Sequence, residues 1–163
     1  MGTNDCPVDT TDMMAIDDIA VSDLDYRDEV VKLSEEAIKI ITTTLWCETV
    51  IQGWLAYANG YIIGVFLFHI KPTRIDAPNY VWLINGDIPT LSIDARHCEN
   101  WIAAVDCYIA DIQEWVDRVY QGRPIDDTVA YVNVSQKKVW AQRLESRLNM
   151  LRQEIKEIKM EQV

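Results

Sequence analysis

An α+β fold, with an antiparallel sheet of three or four strands packed against long helices and a C-terminal amphipathic helix, is predicted by three features of the chain. Residues 80–94, YVWLINGDIPTLSID, run apolar, turn through Asn85, Gly86, Asp87 and Pro89, and then alternate, which is the pattern of two neighbouring strands. Residues 61–70 are apolar on both alternating sets, as in a strand covered on both faces and therefore central. Elsewhere apolar residues recur at intervals of three and four over stretches long enough to cover a small sheet.

The elements can be taken in order. Residues 1–22 hold Asp5, Asp9, Asp12, Asp17 and Asp18 and no basic residue, so they read as a loosely held acidic arm. Ser22 and Asp25 have the spacing of a helix-capping box, and Val30, Leu33, Ala37, Ile40, Ile41 and Leu45 then recur with helical spacing. The run Thr42, Thr43, Thr44 is β-branched and weakens that helix. A second helical piece is expected over 45–58, stopped by Asn59-Gly60. In the strand 61–70, Tyr61, Ile63, Val65 and Leu67 face one way and Ile62, Phe66, Phe68 and Ile70 the other. A loop with Pro72 and Pro78 leads to the strand 80–84. The stretch 90–94 has Leu91 and Ile93 inward and Pro89 at its start, as suits an edge strand.

Asp94 can cap a helix over 95–121 whose stripe is Trp101, Val105, Tyr108, Ile112, Trp115 and Val119, ended by Gly122 and Pro124. Residues 128–134 offer a further strand. The last helix, 136–160, aligns Ala141, Leu144, Leu148, Leu151, Ile155 and Ile158 in a narrow seam. Leu144, Leu148, Leu151, Ile155 and Ile158 are accordingly interface candidates: the seam packs on its own domain, mediates a homodimer, or lies on a solvated tail. The predicted organisation is an acidic arm (1–22), an α+β domain (23–134) and a C-terminal helix (135–163).

Length and composition bound the function. A chain of 163 residues, 49% hydrophobic and 25% charged with six Trp, suits one domain that buries about two thirds of its unfolded surface without staples. Cys6, Cys47, Cys98 and Cys107 are irregularly spaced, and residues 1–26 lack both a basic start and a long apolar stretch. A reducing cytoplasm is the simplest home. Residues 49–70 carry no formal charge, but Gln52 and the turn signal Asn59-Gly60 argue for a buried helix-turn-strand and against a membrane span. The net charge of -11 opposes nucleic-acid binding, which needs clustered Lys and Arg. It is unevenly spread: residues 135–163 carry +3 and residues 1–134 carry -14. That excess either serves solubility or presents an acidic face to a basic protein partner.

The densest group of reactive side chains is Asp94, His97, Cys98 and Asn100, at a predicted helix start that would favour a thiolate at Cys98. Cys98 as nucleophile, with His97 as base and Asp87 as an acid, makes the catalytic candidate set. Adjacent residues on a helix diverge by about 100°, so His97 does not naturally face Cys98. Trp82, Asn85 and Asp87 make a ligand-binding candidate set at the strand end, where Gly86 would let a ligand approach the backbone; the competing reading is ordinary turn chemistry.

No metal or cofactor is expected. Cys98 and Cys107 are nine apart with no second pair, and the Asp23, Asp25, Asp28 run places Asp28 where a calcium loop needs glycine. The chain has no Walker loop, GxGxxG, GxSxG or HExxH. The sequence therefore favours a non-enzymatic, acidic protein-interaction module of the adaptor, chaperone-like or immunity/inhibitor type. A small enzyme or ligand-binding domain with a pocket near Asn85-Gly86-Asp87 and the His97/Cys98 helix start, and a self-assembling structural dimer, are the alternatives.

Overall fold

The computed structural model describes residues 6–124 and 137–162. They form two compact units, Met1–Val105 and Asp106–Val163.

The first unit is an antiparallel sheet in which strand order equals chain order: β1 (Met14–Ala15), β2 (Cys47–Asn59), β3 (Ile63–Pro72), β4 (Tyr80–Gly86) and β5 (Leu91–Asp94). The predicted α+β class stands, with five strands in place of three or four. β3 is central, as its two apolar faces require. Phe66 pairs with Leu83 and Phe68 with Val81 on one face, while Val65 pairs with Ile84 and Leu67 with Trp82 on the other, and all eight are buried. β5 is an edge, as Pro89 and the alternation of Leu91 and Ile93 imply.

One face of the sheet is covered by α1 (Arg27–Thr42), which meets β2, β3 and β4. Its stripe Val30, Leu33, Ala37 and Ile41 packs with Phe66, Phe68, Ile70, Val81 and Leu83. Burying a Val, Leu or Ile side chain stabilises by about 1.5–3 kcal/mol, so the stripe, more than intrinsic propensity, holds this helix. Leu45, expected to end the stripe, is exposed. The capping box is not used either. Ser22 donates to the Ile19 carbonyl and closes a 3-10 turn over Ile16–Val21, and α1 starts after Tyr26 without a side-chain cap. That 3-10 turn buries Ile19, and β1 pairs with β2, so residues 14–21 are tied into the sheet and are not a loose arm.

The main correction concerns residues 45–58, expected as a helix and found as β2. Thr49, Val50, Ile51, Trp54 and Tyr57 are strand formers. The alternation that would have revealed them is broken by register shifts between Cys47 and Thr49, Val50 and Gln52, and Leu55 and Tyr57. Each such bulge inserts an unpaired residue and moves the following side chains to the opposite phase. Asn59-Gly60, read as a helix stop, is the β2–β3 hairpin turn, with Gly60 at φ +53°. The uncharged stretch 49–70 is therefore a hairpin, and no helix among the described residues is long and apolar enough to cross a membrane.

The helix predicted from Asp94 is interrupted. The Asp94 carboxylate accepts from the Arg96 N–H and caps only a short 3-10 turn, Ala95–His97; the chain then extends at Cys98. α2 (Trp101–Tyr120) begins after Asn100, whose side-chain oxygen accepts from the Ala103 N–H at 2.8 Å. Its end is a Schellman motif: Arg123 N–H donates to the Arg118 carbonyl, Gly122 N–H to that of Val119, and Gly122 has φ +65°.

In the second unit α2 continues with Tyr108, Ile112, Trp115 and Val119 buried. α3 spans Lys137–Glu161. Arg152 donates to the Gln113 side chain at 2.8 Å and Lys159 to Asp106 at 3.1 Å, pairings that fix the two helices antiparallel. Leu144, Leu148, Leu151 and Ile155 of the predicted seam are buried within the single chain, and Ile158 is half-buried. A homodimer built on this seam would first have to uncover it. The strand predicted over 128–134 lies outside the described residues.

Candidate interaction surface at the hairpin end

The sheet end carrying the β2–β3 turn brings together residues from four parts of the first unit. The β4–β5 turn is locked to the β2–β3 turn through backbone: Asp87 N–H donates to the Ile62 carbonyl at 3.0 Å and to that of Tyr61 at 3.2 Å. Gly86 makes this approach with φ +132°, and a Cβ there would collide with the Ile62 carbonyl. The glycine of the Asn85-Gly86-Asp87 turn is thus required by strand-to-turn contact.

This lock sets Asp87 beside Tyr61. The Tyr61 hydroxyl donates to Glu36 of α1 at 3.1 Å. That hydrogen bond, together with the charges of Glu36 and Asp87, raises the phenol pKa. Over the same turn lies Tyr26, whose ring sits 3.7 Å from where a Gly60 Cβ would be. Tyr26 has φ +55°, the only non-glycine residue with positive φ among those described. A left-handed conformation costs an ordinary residue about 1–2 kcal/mol, yet here it holds an aromatic ring that remains 68% exposed; Tyr61 is 44% exposed.

The surroundings are acidic. Residues 17–36 hold eight Asp and Glu against Arg27 and Lys32. Asp17, Asp18, Asp23, Asp25, Asp28, Glu35 and Glu36 are exposed, as is Asp87. The ion pair within this stretch, Arg27 to Asp28, is long at 3.9 Å. Val21 is exposed among these acids.

The residues singled out from sequence are distributed differently. Trp82 is fully buried, and its indole N–H donates to the Cys98 carbonyl at 3.0 Å. It is a core anchor that pins the segment before α2. Asn85 is buried against α1, donating to the Leu33 carbonyl at 2.9 Å, and its side-chain oxygen has no hydrogen-bond partner among the described residues. Of the ligand-binding candidates Trp82, Asn85 and Asp87, Asp87 alone reaches the surface.

Cys98 is buried, while His97 points to solvent with its Nε2 4.0 Å from Asp94. Asp94 is held below the usual carboxylate range, chiefly by its hydrogen bonds from Arg96. Cys98 precedes α2 by three residues, so it does not occupy the helix start that would favour its thiolate. Asp87 follows β4, whereas His97 and Cys98 follow Asp94, which pairs with Val81 near the other end of that strand. Six strand residues span roughly 20 Å, and the catalytic candidates do not converge.

No protein-family model, characterised protein or solved structure matches this chain.

Among the described residues, no three His, Cys, Asp or Glu side chains are grouped so as to hold a metal ion. None of the four cysteines forms a disulfide among the described residues. What the hairpin end offers chemically is two exposed aromatic rings set among carboxylates. Sequence reasoning missed Tyr26 and Tyr61, because a left-handed backbone and a contact between two turns leave no periodic trace. The signal present was a tyrosine between acids, DLDYRDE.

Proposed function

We propose that the chain is a non-enzymatic protein-interaction module whose first unit offers the acidic hairpin end, with Tyr26 and Tyr61, to a basic protein segment. The observation that carries this reading is the exposure of two tyrosines amid exposed carboxylates, in a unit holding sixteen Asp and Glu against six Lys and Arg. Aromatic faces attract Lys and Arg, worth about 0.5–1 kcal/mol at exposed sites. Carboxylates around them steer a cationic partner and reject an anionic one. Cysteines that form no disulfide among the described residues are in keeping with a reducing, cytoplasmic setting.

The test is titration with an Arg- and Lys-rich peptide, with a Glu-rich peptide as control. Binding to the basic peptide should weaken steeply as salt shrinks the screening length from about 10 Å to about 3 Å. Replacing Asp23, Asp25 and Asp28 together by Asn should weaken it about tenfold at low salt, the equivalent of some 1.4 kcal/mol, and Tyr26→Ala should weaken it further. Binding that ignores ionic strength, or that survives both changes, would remove the basis of the proposal.

A further inference from the structure

We infer that a groove between α2 and α3 in the second unit binds a small amphiphile consisting of one alkyl chain and a carboxylate head. The groove has a volume of about 520 Å³, inside the range of about 300–1,000 Å³ typical of small-molecule sites. Its floor is apolar and buried, made by Ile109 of α2 and Ile155 of α3. Met160 lines it as well and is 67% exposed; an unbranched thioether adapts to the shape of an alkyl chain.

The rim is cationic in a chain of net charge -11. Arg152, Lys156 and Lys159 stand at spacings of four and three, hence on one helix face, and all three are exposed. Asp106 is the single carboxylate of the lining, and it is engaged by Lys159 at 3.1 Å. Arg152 is held by neutral partners, the side chains of Gln113 and Asn149, which orient its guanidinium and leave its charge uncompensated. Lys156 has no ion-pair partner among the described residues, so the lining carries two positive charges beyond Asp106.

A lining that runs about two turns along α3, from Arg152 to Met160, with an apolar floor beside a rim of net positive charge, matches a ligand with one tail and one anionic head. An extended acidic peptide would need a longer track. The charge complementarity selects carboxylate over ammonium, and the floor selects a chain of medium length over a short acid. This site shares no residue with the acidic hairpin end and stands independently of the reading proposed for it.

The experiment is a titration of the full chain with decanoate below its micelle concentration, followed by the Met160 methyl resonance and by calorimetry. Decylammonium, butyrate and a Glu-rich peptide serve as comparisons. Decanoate should bind saturably and shift the Met160 methyl. Lys156→Gln should weaken binding severalfold and Lys156→Glu at least about tenfold, both with unchanged melting, because Lys156 is exposed and makes no ion pair among the described residues. Ile109→Ala should weaken decanoate without restoring decylammonium. Equal binding of decylammonium, affinity indifferent to Lys156→Glu, or a preference for the Glu-rich peptide would each overturn the proposal.

Discussion

Asn85 permits a test in which the sign of the effect carries the information. Its amide nitrogen is bonded to the Leu33 carbonyl at 2.9 Å, while its oxygen, buried beside Gly64, is unpaired among the described residues. Leucine has the same branched skeleton without polar atoms. Asn85→Leu forfeits one hydrogen bond, a net loss of about 0.5–1.5 kcal/mol, and removes an unsatisfied acceptor whose burial costs about 1–3 kcal/mol. Leucine is larger, and crowding against Gly64 and Phe66 returns part of the gain.

The balance lies between no change and a stabilisation of about 1 kcal/mol. Asn85→Asp has the opposite sign: it deletes the donor and places a carboxylate against the Leu33 carbonyl, costing about 3 kcal/mol or more at neutral pH. The assay is urea unfolding of the three proteins, comparing midpoints at equal slope, since a changed slope would signal a different denatured or native state. If Asn85→Leu is destabilised by more than 1–2 kcal/mol while Asn85→Asp is tolerated, the amide oxygen is satisfied in solution and the reasoning is wrong.

Two further predictions concern the core. Leu148→Ala should lower stability by about 2–5 kcal/mol, with an unfolding midpoint independent of protein concentration, because Leu148 is buried within one chain; a midpoint that rises with concentration would place the seam between copies. His69, stacked on Tyr80 at 4.3 Å, has its pKa lowered from 6.5 by burial. The stability owed to its neutral ring is complete above that value and is lost as pH falls through the lowered one. His69→Phe should flatten the stability profile across that window, and an unchanged profile would show that His69 is not responsible for it.

Much of the architecture was legible in the chain, wherever one apolar period ran without interruption. The stripe from Trp101 to Val119, the seam from Ala141 to Ile155 and the doubly apolar β3 each declare an element through a continuous repeat. Legibility failed where a local irregularity reset the count. β2 carries three register shifts and so imitates neither period, and the segment between Asp94 and Trp101 breaks because Trp82 holds the Cys98 carbonyl from the neighbouring strand. The candidate site was less legible still. The turn chemistry of Asp87 is readable, but Tyr61, whose carbonyl it meets, and Tyr26 and Glu36, which meet Gly60 and Tyr61, are gathered around it by long-range contacts that no spacing rule encodes.

The shifts in β2 matter beyond its recognition. β1 pairs with this long strand only at Trp54 and Leu55, so its outer edge over 47–53 pairs with no strand among the described residues, and Ile51 is exposed there. A bare row of amides and carbonyls beside an oily side chain invites cross-chain stacking into fibrils. Two of the three shifts fall within that uncovered length, kinking the row out of straight alignment, and the Glu48–Lys71 pair adds charge beside it. The same irregularity that hides the strand from pattern reading leaves an intruding strand without a straight template.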